Sequence, residues 1–133
     1  MLRILTALAS LAAAAAFALT LAEHDRCEDA RATVFATVLG KAPKGGQPQA
    51  IEDVRSHCRG TSAQLAVAGA LTAAGDRAQA LPLAREAAEA EPDNPAAWRA
   101  LAAVASGAEA REASRRLEDL NPSLKDSAGR SIR

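Results

Sequence analysis

The stretch AGDRAQALPLAREAAEAEPDNPAAW, Ala74–Trp98, decides how this chain is read. Its composition is helical, yet Pro82 sits in its middle. It is either one broken alanine-rich helix or the junction between repeated units. Gly75-Asp76 reads as a turn, because glycine accepts the left-handed conformation that ends a helix. Arg77 to about Glu91 then has helical spacing, and Pro92 and Pro95 stop it, with Asn94 placed to cap the next helix. Pro82 falls early in its helix, where some backbone donors are expected to lack intrahelical partners. Its cost is therefore expected to stay below the interior value of about 3 kcal/mol, with a local kink.

Working outward from this junction, the same punctuation recurs. Toward the N-terminus, Thr61 or Ser62 is placed to cap a helix running to Ala74, and its segment Leu65–Leu71 is apolar on every side. Toward the C-terminus, a helix from Ala96 to Ala105 is turned by Gly107. Another follows from Glu109 to Leu120, with Ala110, Ala113, Leu117 and Leu120 on one face, and Asn121-Pro122 stops it. Glu112 and Arg116 form an i,i+4 pair on its solvated edge. Earlier still, His24–Leu39 spaces Cys27, Ala30, Val34 and Val38 along one helical face. Asp25, Glu28 and Asp29 suit the dipole of its first turns. Lys41–Pro48 is a loop, and Gln49–Cys58 is a further helix ended by Gly60. Six short helices in three antiparallel hairpins are expected, an all-α chain.

Aligning the two stops, Pro92 and Pro122, puts Ala80 and Ala110 at equal distances before them. Ala87 and Leu117 match in the same way. Trp98 opens WRALAAVA, with Leu101, Ala102 and Ala105 following at regular spacing. In the preceding unit Gln64, Val67, Ala68 and Leu71 hold those places, before Gly75-Asp76, Ala80, Ala84 and Pro92. The pattern resembles the tetratricopeptide repeat, whose signature is W-x2-L-G-x2-Y, then A-x3-F, then a closing proline. The resemblance spans Thr61–Pro122 and implies helical hairpins stacked as a short solenoid. The second copy is four residues shorter between Trp98 and Ala110 than the first between Gln64 and Ala80, about one helical turn. His24–Arg59 has the hairpin shape without the motif.

The first 22 residues carry one cation, Arg3, and then no charge until Glu23. That is the pattern of a secretory signal, with Ala16-Phe17-Ala18 or Ala22 as the exit. The 19 uncharged residues Ile4–Ala22 also approach the roughly 20 needed to span a bilayer, so a retained anchor is the alternative. Either way the rest of the chain is expected outside the cytoplasmic membrane: periplasmic, extracellular or anchored on its outer side. The organisation expected is therefore 1–22 signal or anchor, 23–60 a disulfide-linked hairpin, 61–122 the repeats, and 123–133 a flexible tail. Membrane contact is expected only through residues 1–22, if they are retained.

Cys27 and Cys58 are the only cysteines, an even pair in a chain expected to be exported. Cys27 lies about twelve residues before the end of its helix and Cys58 about ten after the start of the next. In an antiparallel hairpin these heights coincide at about 1.5 Å per residue. A disulfide is expected, worth roughly 3–4 kcal/mol for a loop of this length. The alternatives are free or redox-active thiols, or a zinc or copper site adding His24 and His57. Against the metal site, adjacent helical residues point about 100° apart, so His57 and Cys58 share a ligand set with difficulty.

Sixteen basic and sixteen acidic residues balance, and no basic stripe is interleaved with aromatics, so nucleic acid is not an expected partner. There is no CxxC, HExxH, P-loop, GxSxG or glycine-rich dinucleotide turn, so neither catalytic residues nor a cofactor are expected. The chain reads as a non-enzymatic interaction module or scaffold that binds another protein. By the resemblance, the groove comprises Ser62, Leu65, Gly69 and Thr72 from one unit. Ala96, Arg99, Ala103 and Ser106 come from the next. The Lys and Asn pair that chaperone-binding members use to clamp a peptide carboxylate is replaced here by Leu65 and Gly69. Alternative roles are an exported thiol- or metal-handling factor, as in cytochrome maturation, and a self-associating subunit.

Overall fold

The computed structural model describes residues 2–122, with side chains from Ala13 onward except Ala14. Among these residues the chain is all α-helix apart from turns: α1 (Leu2–Val38), α2 (Gln47–His57), α3 (Ser62–Ala73), α4 (Arg77–Ala90), α5 (Pro95–Val104) and α6 (Gly107–Leu120). A single 3₁₀ turn, Lys44–Gly46, precedes α2. The tail expected at 123–133 lies outside the described residues.

Each connection has a local cause. Gly75, at φ 82°, ends α3, and the Asp76 amide bonds back to the Leu71 carbonyl at 2.9 Å. The Asp76 carboxylate then accepts from the Gln79 amide at 3.3 Å and opens α4. Asn94 caps α5 as expected, its side-chain oxygen accepting from the Ala96 amide at 2.9 Å. Thr61 does not cap α3 through its side chain. Its hydroxyl and amide are instead engaged by the Glu91 carboxylate at the end of α4, which trades a local cap for a bond that ties the two ends of the α3–α4 hairpin together.

Three sequence readings are corrected here. The helix expected from His24 is continuous with the segment before it, so α1 runs through 37 residues, about 55 Å, without a break at the 22/23 boundary. No proline or glycine occurs between Leu2 and Val38 to interrupt it. α2 starts two residues earlier than expected because Pro48 fits the first turn, where its missing N–H has no consequence. Pro82 is the sixth residue of α4, beyond the four positions whose donors are free in any helix, so its missing N–H removes an intrahelical bond to Ala78.

The helices pair as α1 with α2, α3 with α4 and α5 with α6, and the pairs stack in order. The first helices α1, α3 and α5 lie side by side, and α4 packs closely on α5. Alanine dominates the core: Ala63 and Ala68 of α3 and Ala80, Ala84, Ala87 and Ala88 of α4 are all buried. Leu71, Leu83, Val34, Val54 and Val67 supply the bulk, and each is fully enclosed. Small residues let helices approach closely, and the few larger ones fill what remains.

The stack closes at α6. Where α4 has Leu81, Ala84 and Ala88, packed in the core or against it, the equivalent positions of α6 are Arg111, Ser114 and Glu118, all exposed. A helix covered on both sides needs apolar residues there, and a terminal one needs polar residues. At the other end, Phe17, Leu19 and Leu21 of α1 are exposed, and Cys27 is its first buried residue among those described. Among residues with described side chains, no helical run is long and apolar enough to cross a membrane, but much of Ile4–Ala22 lies outside them.

Candidate interaction face and the cysteine hairpin

α3 and α5 each turn one face inward and leave the other open. On α3, Ala63, Val67, Ala68 and Leu71 are buried, while Ser62 and Gly69 are exposed. Leu65 and Thr72, at the edges of that face, are half-buried, and Leu65 packs against the core. A Cβ added at Gly69 would meet nothing within 4 Å, so this glycine marks open space rather than a close contact. On α5, Ala97, Leu101 and Val104 are buried, while Ala96, Arg99 and Ala103 are exposed. Ser106, expected on the same helix, is exposed beyond its end, as the residue that precedes α6. The other expected groove residues fall on two adjacent helices, with Leu65 serving the core as much as the surface.

The sequence reading missed the contribution of α1. Glu28 and Arg31 share a recess of about 380 Å³ with Ser62 and Ala63, so this side of α1 turns toward α3. Phe35 follows Arg31 by one helical turn and is half-buried on the same side, with Leu39 exposed one turn further. Apolar residues four apart, leading to the end of a helix, were the available signal. A face formed by these helices would have an apolar flank on α1, a neutral floor on α3, and a cation, Arg99, on α5.

Trp98 also acts differently from a groove residue. Its indole N–H donates to the Pro92 carbonyl at 2.6 Å, and the Arg116 guanidinium lies 5.9 Å from its ring centre. It binds the turn before α5 to the helix after it.

The second helices are joined by ion pairs. Arg55 of α2 reaches Glu86 of α4, and Arg85 of α4 meets Glu109 of α6 at 2.7 Å. Arg85 and Glu86 are adjacent, so they point about 100° apart, each toward a different neighbouring helix. The Arg85 guanidinium holds the Glu109 carboxyl below its usual range, first by hydrogen bonding and then by charge.

Cys27 and Cys58 stand where the hairpin geometry places them, with Cα atoms 4.9 Å apart and sulfurs at disulfide distance. Paired sulfurs are not available as thiolate ligands. His24 and His57 both border the 380 Å³ recess beside Cys27. His57 Nδ1 lies 2.8 Å from the Ser56 hydroxyl and 3.2 Å from the Asp53 carbonyl. Among the described residues no three His, Cys, Asp or Glu side chains converge on a point that suits a metal.

The helical-hairpin stack, with small residues at the crossings and first helices side by side, is the arrangement the sequence resemblance implied. A comparison with family models agrees: residues 61–104 match the tetratricopeptide repeat. This segment is a tetratricopeptide repeat. The match covers α3, α4 and α5, which is the first unit and the opening helix of the second. α6, whose outer positions are polar, and the α1–α2 hairpin, which lacks the motif, lie outside it. No curated protein and no solved structure matches the chain.

Proposed function

We propose that this chain is an exported, non-enzymatic interaction module that holds a segment of another protein against the open face of α1, α3 and α5. The observation that carries this reading is the tetratricopeptide repeat itself, a module that typically binds proteins or peptides, with two adjacent first helices whose outer faces are uncovered. The small side chains of that face let a partner backbone come close. Leu65 and Phe35 offer apolar contact, and Arg99 offers charge to an acidic group. Export is supported by the uncharged run Ile4–Ala22 and by the cysteine pair, which is at home in an oxidising compartment.

Photocrosslinkers placed at Gly69 and Ala103 in the native host, with Ser114 on the outer face as control, are expected to trap the same partner only from the first two positions. Leu65→Asp and Arg99→Glu are expected to reduce its recovery at least tenfold in pulldown. Unchanged recovery with both substitutions removes the groove. Intact mass of the mature protein shows whether residues 1–22 persist.

A further inference from the structure

The Cys27–Cys58 bond occupies a particular place in the stack. Cys27 is the point at which α1 enters the packed body, and Cys58 begins the short connection leading into α3. Upstream of Cys27 the described side chains of α1 are exposed, and its Glu23 pairs with Arg59 at 2.9 Å through two solvent-facing side chains. Exposed pairs of this kind contribute little. Other features tie the first hairpin to the repeat, among them light packing of α2 on α3. Arg55 reaches Glu86 across a partly exposed surface. Gln47 donates to Asp76 and Gln79 at 3.2 and 3.4 Å, long for such bonds. α1 also packs on α3, more lightly than on its own partner α2. The hairpin's own core is thin: Ala30, Val34, Ala50, Ile51 and Val54. By contrast α3, α4 and α5 bury Leu71, Leu83 and Leu101, and residues 61–104 match the repeat model.

We propose that Cys27–Cys58 is a redox latch. Oxidised, it keeps the α1–α2 hairpin closed against α3. Reduced, it lets that hairpin open while the repeat at 61–104 stays folded. The recess of about 380 Å³ bordered by Cys27, His24, His57 and Arg59 gives a dithiol reductant an approach to the bond. A reductant thiolate attacks the Cys27 sulfur, the S–S bond breaks, and its electron pair leaves on Cys58, which takes up a proton. The reductant's second thiol gives up its own proton and attacks the mixed disulfide, releasing Cys27 as a thiol. Two electrons pass to this chain, and the reductant leaves as a disulfide. The consequence for binding rests on the interaction-face reading, because opening removes Phe35 and Glu28 from beside α3. The latch itself does not depend on it.

Hydrogen exchange on the full-length protein, oxidised and then reduced with dithiothreitol, tests the latch without any partner. Closing a loop of this length implies exchange across 27–38 and 47–57 faster by on the order of 100-fold after reduction. Amides of α3 to α5 are expected to change less than about threefold. The double variant Cys27→Ser, Cys58→Ser is expected to reproduce the reduced pattern. Equal acceleration in α3 to α5 overturns the latch, since the bond would then support the whole fold. Acceleration below about threefold in α1 and α2 overturns it as well. If the double variant does not fold, the reduced wild-type chain still reads the outcome. Loss of the groove in the partner experiments would leave these exchange patterns unaltered.

Discussion

Thr61 shows how one residue links two levels of this fold. It is buried, and both its hydroxyl and its amide serve Glu91, which also accepts from the Asn94 side chain at 2.7 Å. Asn94 in turn caps α5, so three residues fix the start of α3, the end of α4 and the start of α5 together. Thr61→Val leaves the acceptor with one partner fewer, and a lower urea midpoint is expected. The Asn94 amide first, and Thr61 next, hold the Glu91 carboxyl below its ordinary value of 4.5. A group whose pKa is lower in the folded state stabilises that state above its unfolded pKa. The contribution is lost as pH falls through the folded value. Glu109 and Glu112, lowered by Arg85 and Arg115, act in the same sense. The thermal midpoint is therefore expected to hold down to about pH 5 and to fall below the usual carboxylate range. In Glu91→Gln that acid limb should be shallower, and an identical limb would remove Glu91 from the account.

At the scale of elements, α4 carries the one local feature at odds with its own helix. Pro82 denies the Ala78 carbonyl its intrahelical bond, though Ala78 is exposed and water can serve it instead. Pro82→Ala restores the bond at the expense of a more flexible unfolded chain. A net gain of about 1 kcal/mol is expected from denaturant midpoints. Loss of stability would mean that the half-buried ring packs better than alanine can. The α1–α2 hairpin tells the opposite story, since its helices are regular but its core is small. Removing both sulfurs, by Cys27→Ser with Cys58→Ser, is expected to cost roughly 3–4 kcal/mol in the opening of that hairpin, read from its own amides rather than from those of α3 to α5. The boundaries of α3 to α5 were legible to within a residue because glycine and proline punctuate them, whereas α6 starts at Gly107, two residues before the expected Glu109. The start of α1 was not, because an alanine-rich run has no residue that marks where a packed helix begins.

For the whole molecule, stability comes from stacking rather than from any single large contact. Leu71 and Leu83 are the largest fully enclosed side chains, and in so thin a core each stands among alanines that are slow to fill a void. Leu71→Ala is expected to cost about 2–5 kcal/mol by urea unfolding, with the repeat and the first hairpin weakened together. The ion pairs between second helices are partly exposed, so Glu86→Gln should cost less than about 1 kcal/mol. Much of the candidate interaction face was legible too, because a repeat motif fixes which positions of α3 and α5 face outward. The flank on α1 was not legible, for that helix lacks the motif and only its packing beside α3 brings Phe35 to the edge of the face.

By itself the sequence determined most of the helices, their turns and the repeat pattern expected over Thr61–Pro122, of which 61–104 match the family model. These depend on local backbone preference and on spacing along a chain whose period is set by the helix. It also determined that Cys27 and Cys58 stand at equal heights, which follows from helical rise alone. Tertiary structure decided what Thr61, Trp98 and α1 do. Thr61 could cap its own helix, but a carboxylate at the far end of α4, the partner of α3 in its hairpin, claims it. Trp98 could line a groove, but its indole N–H finds the Pro92 carbonyl and Arg116 comes over its ring. These choices depend on which groups are brought within bonding distance, and that is fixed only when the hairpins stack.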